Sequence, residues 1–548
     1  MHSALAMNKA RAAEDTRLFA LSGMALVASN IVAKFLGAIY RIPLTNILGA
    51  DGIGMYQLVF PVYALMLTLS SSGIPSSVSR LVSERRALMD SEGVIGVVKT
   101  AAIMLIILGS FFMVIMLLIS EPLAHIQGND SLRISYFAIA PAVLIVAASS
   151  AFKGYFSGMM NLTPTAVTGL VEQVVKMLVG LILASYLLGY GIEYAVMGAV
   201  IGLTSAELVS FLIMGIMYLR RRVSNSSIHL YRFSDYRNDI IRVSLPIALG
   251  GIIFPVMNVI DSILIVNILR SIGEESTRAT ALYGLLTGPV NTLINMPIVV
   301  TLSLAIMIVP SISASRIMRS PTKVRDKCKV AVKLACMVSV PSFFGLFVMA
   351  GYIMRVLYPS LGEADLLLGT TLLRVSSVSV ILLALLQIMT AIVEALDKSR
   401  VGVKALLVAA LVKVVMSIIL IRHMSIVGAS IASIIAYLVA VIIESLYLRR
   451  YLGKCYPLFV SITKILVAGL LMAGIVAIIA LTIGNIYASL IVGVILGVAI
   501  YIISMLLLKV MDDEELLALP FGRLLVYFGK KLRFWESKND RDNRTGNN

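Results

Sequence analysis

Charge is scarce in this chain. Asp, Glu, Lys and Arg supply 14% of its 548 residues, where a soluble globule carries about 25%. That scarcity excludes an ordinary water-solvated domain. Cysteine is nearly missing too, with only Cys328, Cys336 and Cys455. None pairs at a metal-ligand spacing, so they read as structural thiols and no metal is implied. Long polar connections are also lacking, which leaves no room for a soluble catalytic domain. The chain has no phosphate-binding P-loop, no HExxH helix and no Ser/His/Asp set on a soluble scaffold. These absences exclude an ATP-driven pump acting from this chain alone, and they point to a protein that is not an enzyme and needs no cofactor.

What fills the chain is apolar. Hydrophobic residues reach 59% and the mean hydropathy is +0.97, gathered in blocks such as 101–119 and 490–508. Blocks of about twenty residues match the hydrocarbon thickness of a bilayer. They predict an all-α membrane protein with about fourteen transmembrane helices. The expected spans are 18–45, 55–73, 94–119, 131–157, 163–188, 193–219, 240–268, 282–310, 329–353, 365–392, 404–421, 425–448, 463–483 and 486–509. The first runs past Lys34 to Leu44, too long for the apolar core of a secretory signal, and reads as an uncleaved span.

The net charge of +17 does not describe a nucleic-acid binder, because no separate basic domain holds it. Basic residues gather in every second turn: Arg80, Arg85 and Arg86, then Lys153, Arg220 to Arg222, Arg232, Arg237 and Arg242, then Arg316 to Lys329, Lys398 to Lys404, and Arg449 to Lys454. The alternate turns hold little beyond Arg133, Arg270, Arg278, Arg355 and Arg422. This positive-inside asymmetry places both termini in the cytosol of a bacterial cell membrane. The tail after Lys509 carries Phe521, Leu524, Leu525, Phe528, Leu532 and Trp535 on one helical face. It predicts an interfacial amphipathic helix, followed by a disordered polar end.

Two halves of the chain echo each other about 230 to 237 residues apart. The run LVEQVVKMLVGLIL from Leu170 resembles LVAALVKVVMSIIL from Leu407, aligning Lys176 with Lys413. Gly198 and Ala199 followed by Tyr218 to Arg221 recur as Gly428 and Ala429 followed by Tyr447 to Arg450. A six-helix repeat keeps its orientation, so the expected halves are parallel, with a substrate site between them. The domain reading is a cytosolic N-terminus at 1–17, a first lobe at 18–222, a linker at 223–239, a second lobe at 240–450, two further spans at 451–509, and the tail at 510–548.

The stretches AKFLG (33–37), Tyr40 with Arg41, LGADGIGMY (48–56), GIPSSVSR (73–80), VPSIS (309–313), and Leu386 with Gln387 through Lys398 carry a family resemblance. The chain resembles the stage V sporulation protein B-like polysaccharide biosynthesis membrane proteins, of the multidrug/oligosaccharidyl-lipid/polysaccharide exporter superfamily. The resemblance spans nearly the whole chain. It implies two six-helix lobes plus two trailing helices, and a flippase that moves undecaprenyl-pyrophosphate-linked cell-wall sugars outward by alternating access. Gram-negative lipid II flippases carry a further arginine in the second span, where this chain has uncharged Pro61 to Leu69. The cargo, lipid II or a related lipid-linked oligosaccharide, therefore stays open. Implied partners are that lipid-linked sugar, membrane lipids and cell-wall synthesis enzymes, with the protein itself a monomer.

A charge inside a bilayer costs roughly 2.5–3.5 kcal/mol on insertion scales, so it faces a cavity or a partner. Asn30, Lys34 and Arg41 share one face of the first span. They read either as a cationic wall for a pyrophosphate or as snorkelling side chains; the family resemblance implies that basic residues here line the substrate cavity. Arg374 reads as an assisting cation or as an interface anchor. Lys176 follows Glu172 by four residues, an expected ion pair. Lys413 has Ala409 in the matching place and so needs a partner elsewhere. Asp261, with Asn258 one turn before it and Pro246 and Pro255 nearby, reads as a lobe-pairing or ion-coupling acid; Glu207 is similar. Asn291, Asn295 and Gln387 read as sugar contacts or as helix-to-helix hydrogen bonds. Glu394 and Glu444 read as boundary charges. The deep charges lean basic, which suits an anionic cargo. The competing readings are a multidrug/cation antiporter of the same superfamily, which would need an acid on the first span, and a membrane-embedded glycosyltransferase, which would need a catalytic acid in a large loop.

Overall fold

The computed structural model describes residues 2–221, 234–453, 458–508 and 510. Cys455, the 223–233 part of the linker and the tail beyond 510, with its expected interfacial helix, lie outside the described residues. The elements in order are α1 (His2–Ser71), α2 (Ile74–Ala87), α3 (Ser91–Ile126), α4 (Leu132–Gly158), α5 (Thr163–Leu187), α6 (Ile192–Arg221), α7 (Ser234–Gly251), α8 (Ile253–Ser271), α9 (Ser276–Leu285), α10 (Asn291–Ile317), α11 (Pro321–Leu357), α12 (Glu363–Ser376), α13 (Val378–Ala395), α14 (Ser399–Met424), α15 (Ile426–Leu452), α16 (Leu458–Thr482) and α17 (Ile486–Leu507). No strand occurs among the described residues.

Thirteen stretches among these residues are long and apolar enough to cross a bilayer. The first, Leu21–Ala87, holds 67 residues, roughly 100 Å of helix at 1.5 Å per residue, far more than the ~30 Å hydrocarbon core. It breaks at Gly49, whose φ of 65° and ψ of −170° are open to glycine. The chain reverses there: Tyr40 and Tyr56 lie side by side, although sixteen helical positions would set them roughly 24 Å apart. That stretch is two spans, and the total is fourteen. The seventh span is α7 with α8, the eighth is α9 with α10 joined by a wide helical turn at Leu286–Val290, and the tenth is α12 with α13.

By contacts the described chain forms two compact units. One holds the residues up to Leu293 with Tyr358–Asp365 and Val414–Ala429. The other holds Ile294–Leu357, Leu366–Lys413 and the residues from Ser430 onward. In the first unit, Val78 and Val82 of α2 pack on α4, where Gly154 and Gly158 leave no room for a side chain: a Cβ would meet Val78 at 2.7 Å and Val82 at 2.6 Å. In the second, Cys328 and Cys336 on α11 are buried, unpaired and part of an apolar core with α13 and α15, as structural thiols should be.

Local geometry repeats at the spacing seen in the sequence. Non-glycine residues with positive φ sit at Met89 and Arg319, just before α3 and α11, and at Met160 and Asp397, just after α4 and α13. Arg86 donates Nη1 to Met159 O at 2.9 Å, and Arg316 donates Nη1 to Ala395 O at 3.4 Å. Gly198 abuts Leu183 O and Gly428 abuts Leu420 O, each too closely for a Cβ. Backbone conformations this uncommon do not recur in step by chance.

Four turns assigned by charge to one membrane face meet at one end of the first unit. Asn46 accepts from Ser360 Oγ at 2.8 Å, Arg278 pairs with Asp365 at 2.6 Å, Asn129 donates to Thr280 at 3.5 Å, and Ser276 donates to Gly128 O. The Asp51 carboxyl shares the field of Arg278 and Asp365.

Candidate functional site

The strongest constellation of buried and half-buried polar groups lies in the first unit, on α1, α5 and α6. Small residues bring these helices together. Ser29 donates to Ala166 O at 2.6 Å, and Gly37 leaves space for Gln173, whose Oε1 a Cβ would meet at 3.4 Å. Between α5 and α6, a Cβ on Gly202 would stand 2.3 Å from Gly180 Cα, so the two backbones touch.

On α1, Asn30 and Lys34 are exposed and Arg41 is half-buried. No carboxylate pairs with Lys34 or Arg41 within 4.0 Å among the described residues. Arg41 instead reaches hydroxyl groups. Its Nη1 donates to Thr292 Oγ1 at 3.4 Å, and its charge acts on the phenols of Tyr40, Tyr56 and Tyr358. Hydroxyls orient a guanidinium but do not neutralise it, so its charge remains open to an anion. Lys34, two turns earlier on the same face, likewise keeps an uncompensated ammonium.

The expected Glu172–Lys176 ion pair is not formed. Gln173 stands between the two: Lys176 Nζ donates to Gln173 Oε1 at 2.5 Å, and Gln173 Nε2 donates to Glu172 Oε1 at 3.3 Å. Lys176 also lies 5.7 Å from the Tyr40 ring centroid, a cation–π distance. The charges of Glu172, Arg41 and Glu207 all bear on Lys176, and Glu207 also feels Lys153. Glu172 and Glu207 are thus balanced by Lys153 and Lys176, while Lys34 and Arg41 are left in excess.

The remaining expected residues are spread out. Asp261 is buried at 8% exposure on α8, with the Tyr283 phenol in its field. Its neighbour Ser262 accepts from Gln127, which in turn accepts from Tyr136 at 2.5 Å. Asn258 is exposed. Arg374 on α12 is exposed, and Lys413 on α14 is half-buried and has an interaction within the protein; both belong to the second unit. Asn291 and Asn295 are engaged, and Gln387 accepts from Thr301 at 3.0 Å. Glu444 corrects the sequence reading: it is fully buried, not a boundary charge, and accepts from Thr390 Oγ1 at 2.9 Å. No group of three or more metal-ligating side chains occurs among the described residues.

Sequence reasoning missed Tyr40, Gln173 and Thr292. A tyrosine beside Arg41 and a glutamine between Glu172 and Lys176 were visible locally. Thr292 was not, since it meets Arg41 only through the tertiary fold.

Residues 21–316 match the family described as polysaccharide biosynthesis protein. Stage V sporulation protein B of Bacillus subtilis is 26% identical over 91% of this chain and 98% of that protein. Lipid II flippase MurJ of the same organism is 22% identical over 80% of this chain and 84% of its own. Among solved structures, a lipid II flippase MurJ in an inward closed conformation superposes with a TM-score of 0.69 at 12% identity, over 88% of this chain and 98% of that one. An inward-facing multidrug resistance MATE transporter of the MOP superfamily gives 0.59 at 17%, over 79% and 98%. The fold is shared with both.

Proposed function

The chain belongs to the polysaccharide biosynthesis protein family, and from that premise we propose that it is a flippase moving polyprenyl-pyrophosphate-linked sugars from the inner to the outer leaflet. The similarity to a lipid II flippase and to stage V sporulation protein B supports a lipid-linked sugar as cargo. The observation that carries the reading is the pair Lys34 and Arg41, two cations on one face of α1 without a carboxylate partner among the described residues. An anionic pyrophosphate supplies the missing charge, and the hydroxyl groups around Arg41 leave its guanidinium aligned to take it. No bond is made or broken. The work is binding, exclusion of the headgroup from lipid, and exposure on the far side by rocking of two six-helix lobes.

Arg374 assists in this reading, Lys176 and Lys413 set the basic field, and Asp261 pairs or couples the moving parts. Both termini face the cytosol. The antiporter alternative is disfavoured because Glu172 and Glu207 are already matched by Lys176 and Lys153, whereas the uncompensated charge on α1 is positive.

The test is complementation scored together with protein level in the membrane. Lys34→Ala with Arg41→Ala should abolish function at normal abundance, and Lys34→Arg should retain part of it. Normal growth of the double variant at wild-type abundance overturns the phosphate role. Depletion of the protein should leave one lipid-linked precursor accumulating on the cytosolic side, and its identity names the cargo.

A further inference from the structure

The two copies of the internal repeat differ at one corner. In the first, between α2 and α3, a hollow of about 100 Å³ is lined by Arg86, Met89, Val94, Tyr155 and Tyr218 among others. The chain fills the adjacent helix start with its own anion: Asp90 Oδ1 accepts from Gly93 N at 2.7 Å, and Oδ2 accepts from Arg85 at 3.2 Å. In the second copy, between α10 and α11, Ser320 stands where Asp90 stood and Arg319 where Met89 stood, both residues of each pair about 230 positions apart. The hollow there reaches about 340 Å³ and is lined by Arg316, Arg319, Arg325, Ser320, Thr322 and Tyr451 among others.

Among the described residues, the arginines at this corner outnumber the acids paired with them. Arg316 is the one arginine with an acid, Asp397 at 3.3 Å, and that carboxylate is 82% exposed. Asp326, the nearest acid on α11, is taken by Lys329 at 3.3 Å. Arg319 holds its positive-φ position with an exposed side chain and no ion pair. The Nε of Arg325 is buried and donates to nothing. The start of α11, a 37-residue helix, also lines the hollow through Ser320, Pro321, Thr322 and Val324, and sets the positive end of its dipole there. One water fills about 10–15 Å³ of such space, so the hollow takes a phosphate with part of what it esterifies.

We propose that the α10–α11 corner is a phosphate-binding site for the headgroup of an anionic phospholipid of the cytosolic leaflet, distinct from the Lys34/Arg41 wall. The lipid phosphate occupies the place that Asp90 fills in the first copy. The site is independent of the flippase reading: it rests on Arg316, Arg319 and Arg325, and on a turn that the charge pattern places on the cytosolic side, where anionic headgroups lie.

The test is native mass spectrometry of the purified full chain with phosphatidylglycerol or phosphatidylcholine added. Wild type should retain phosphatidylglycerol in preference to phosphatidylcholine. Arg319→Asn, which tolerates the left-handed backbone, combined with Arg325→Gln should weaken that retention about tenfold. Lys398→Gln with Arg400→Gln, the same charge loss on an exposed neighbouring turn, should leave it unchanged. Competition by inorganic phosphate assigns recognition to the phosphate group itself; loss in the arginine variant without such competition assigns it to the intact lipid. Equal retention by the arginine variant and wild type, or equal loss in both double variants, overturns the site. Should the double variant fail to accumulate, Arg319→Asn alone, whose side chain is exposed and unpaired, carries the same comparison.

Discussion

At the scale of single residues, burial decides what a charge is for. Lys34 and Glu444 look alike in the sequence, each an isolated charge within an apolar run. Lys34 is exposed and open to a ligand, while Glu444 is fully buried with its Oε2 hydrogen-bonded to nothing and Glu394 as the charge acting on it. A buried ion without a counter-ion costs several kcal/mol, so this position accepts a neutral isostere and rejects a cation. Glu444→Gln should accumulate and unfold thermally within a few degrees of wild type. Glu444→Lys should lose most of the protein from the membrane, because a fully buried site has no space for the longer side chain. Membrane abundance by immunoblot and thermal unfolding in detergent separate the two. The cationic stripe on α1 was legible from its seven-residue spacing alone. The Gln173 bridge between Glu172 and Lys176 was not, because an i, i+4 rule ranks charge above the amide that intervenes.

At the scale of elements, glycines fix which helices touch. Gly180 with Gly202 joins α5 to α6, and Gly54 with Gly284 joins α1 to α9, where a Cβ on Gly54 would lie 2.1 Å from Thr280 O. Overpacking a tight contact costs about 1–3 kcal/mol, and here the obstruction is backbone that cannot rotate away. Gly202→Val and Gly54→Val should therefore lower thermal stability and abundance. Gly474→Val, whose Cβ would meet nothing within 4 Å, should do neither; equal loss in all three would discredit the contact argument. The LGADGIGMY stretch was recognisable as a family signature, but its physical reasons differ residue by residue. Gly49 turns the chain and Gly54 admits α9. Helix count and approximate ends followed from hydropathy, whereas the subdivisions into α7 with α8, α9 with α10, and α12 with α13 depended on local backbone that apolar composition does not encode.

At the scale of the molecule, the alternation of basic turns makes a prediction about sidedness that contacts alone leave open, since they show which turns share an end but not which end is outside. With the three native cysteines replaced by serine, new cysteines near Asp51, Glu274 and Glu363 should react with an impermeant thiol reagent applied to intact cells. Those near Thr322 and Ser399 should react only after the membrane is opened. Labelling of any one site from the wrong side would reverse the orientation of its neighbourhood. The sequence by itself determined the solvent of this protein, the number of its spans, the repeat and the cationic face of α1. The repeat is written in motifs about 230 residues apart, the rest in composition or short-range periodicity, and lipid enforces the spans helix by helix. Only the tertiary structure decided that Arg41 faces hydroxyls, that Glu444 is sealed, and that the second copy of one corner is an arginine-lined hollow. Those outcomes turn on residues hundreds of positions apart, such as Arg41 with Thr292, and on burial, which a span's hydropathy averages away.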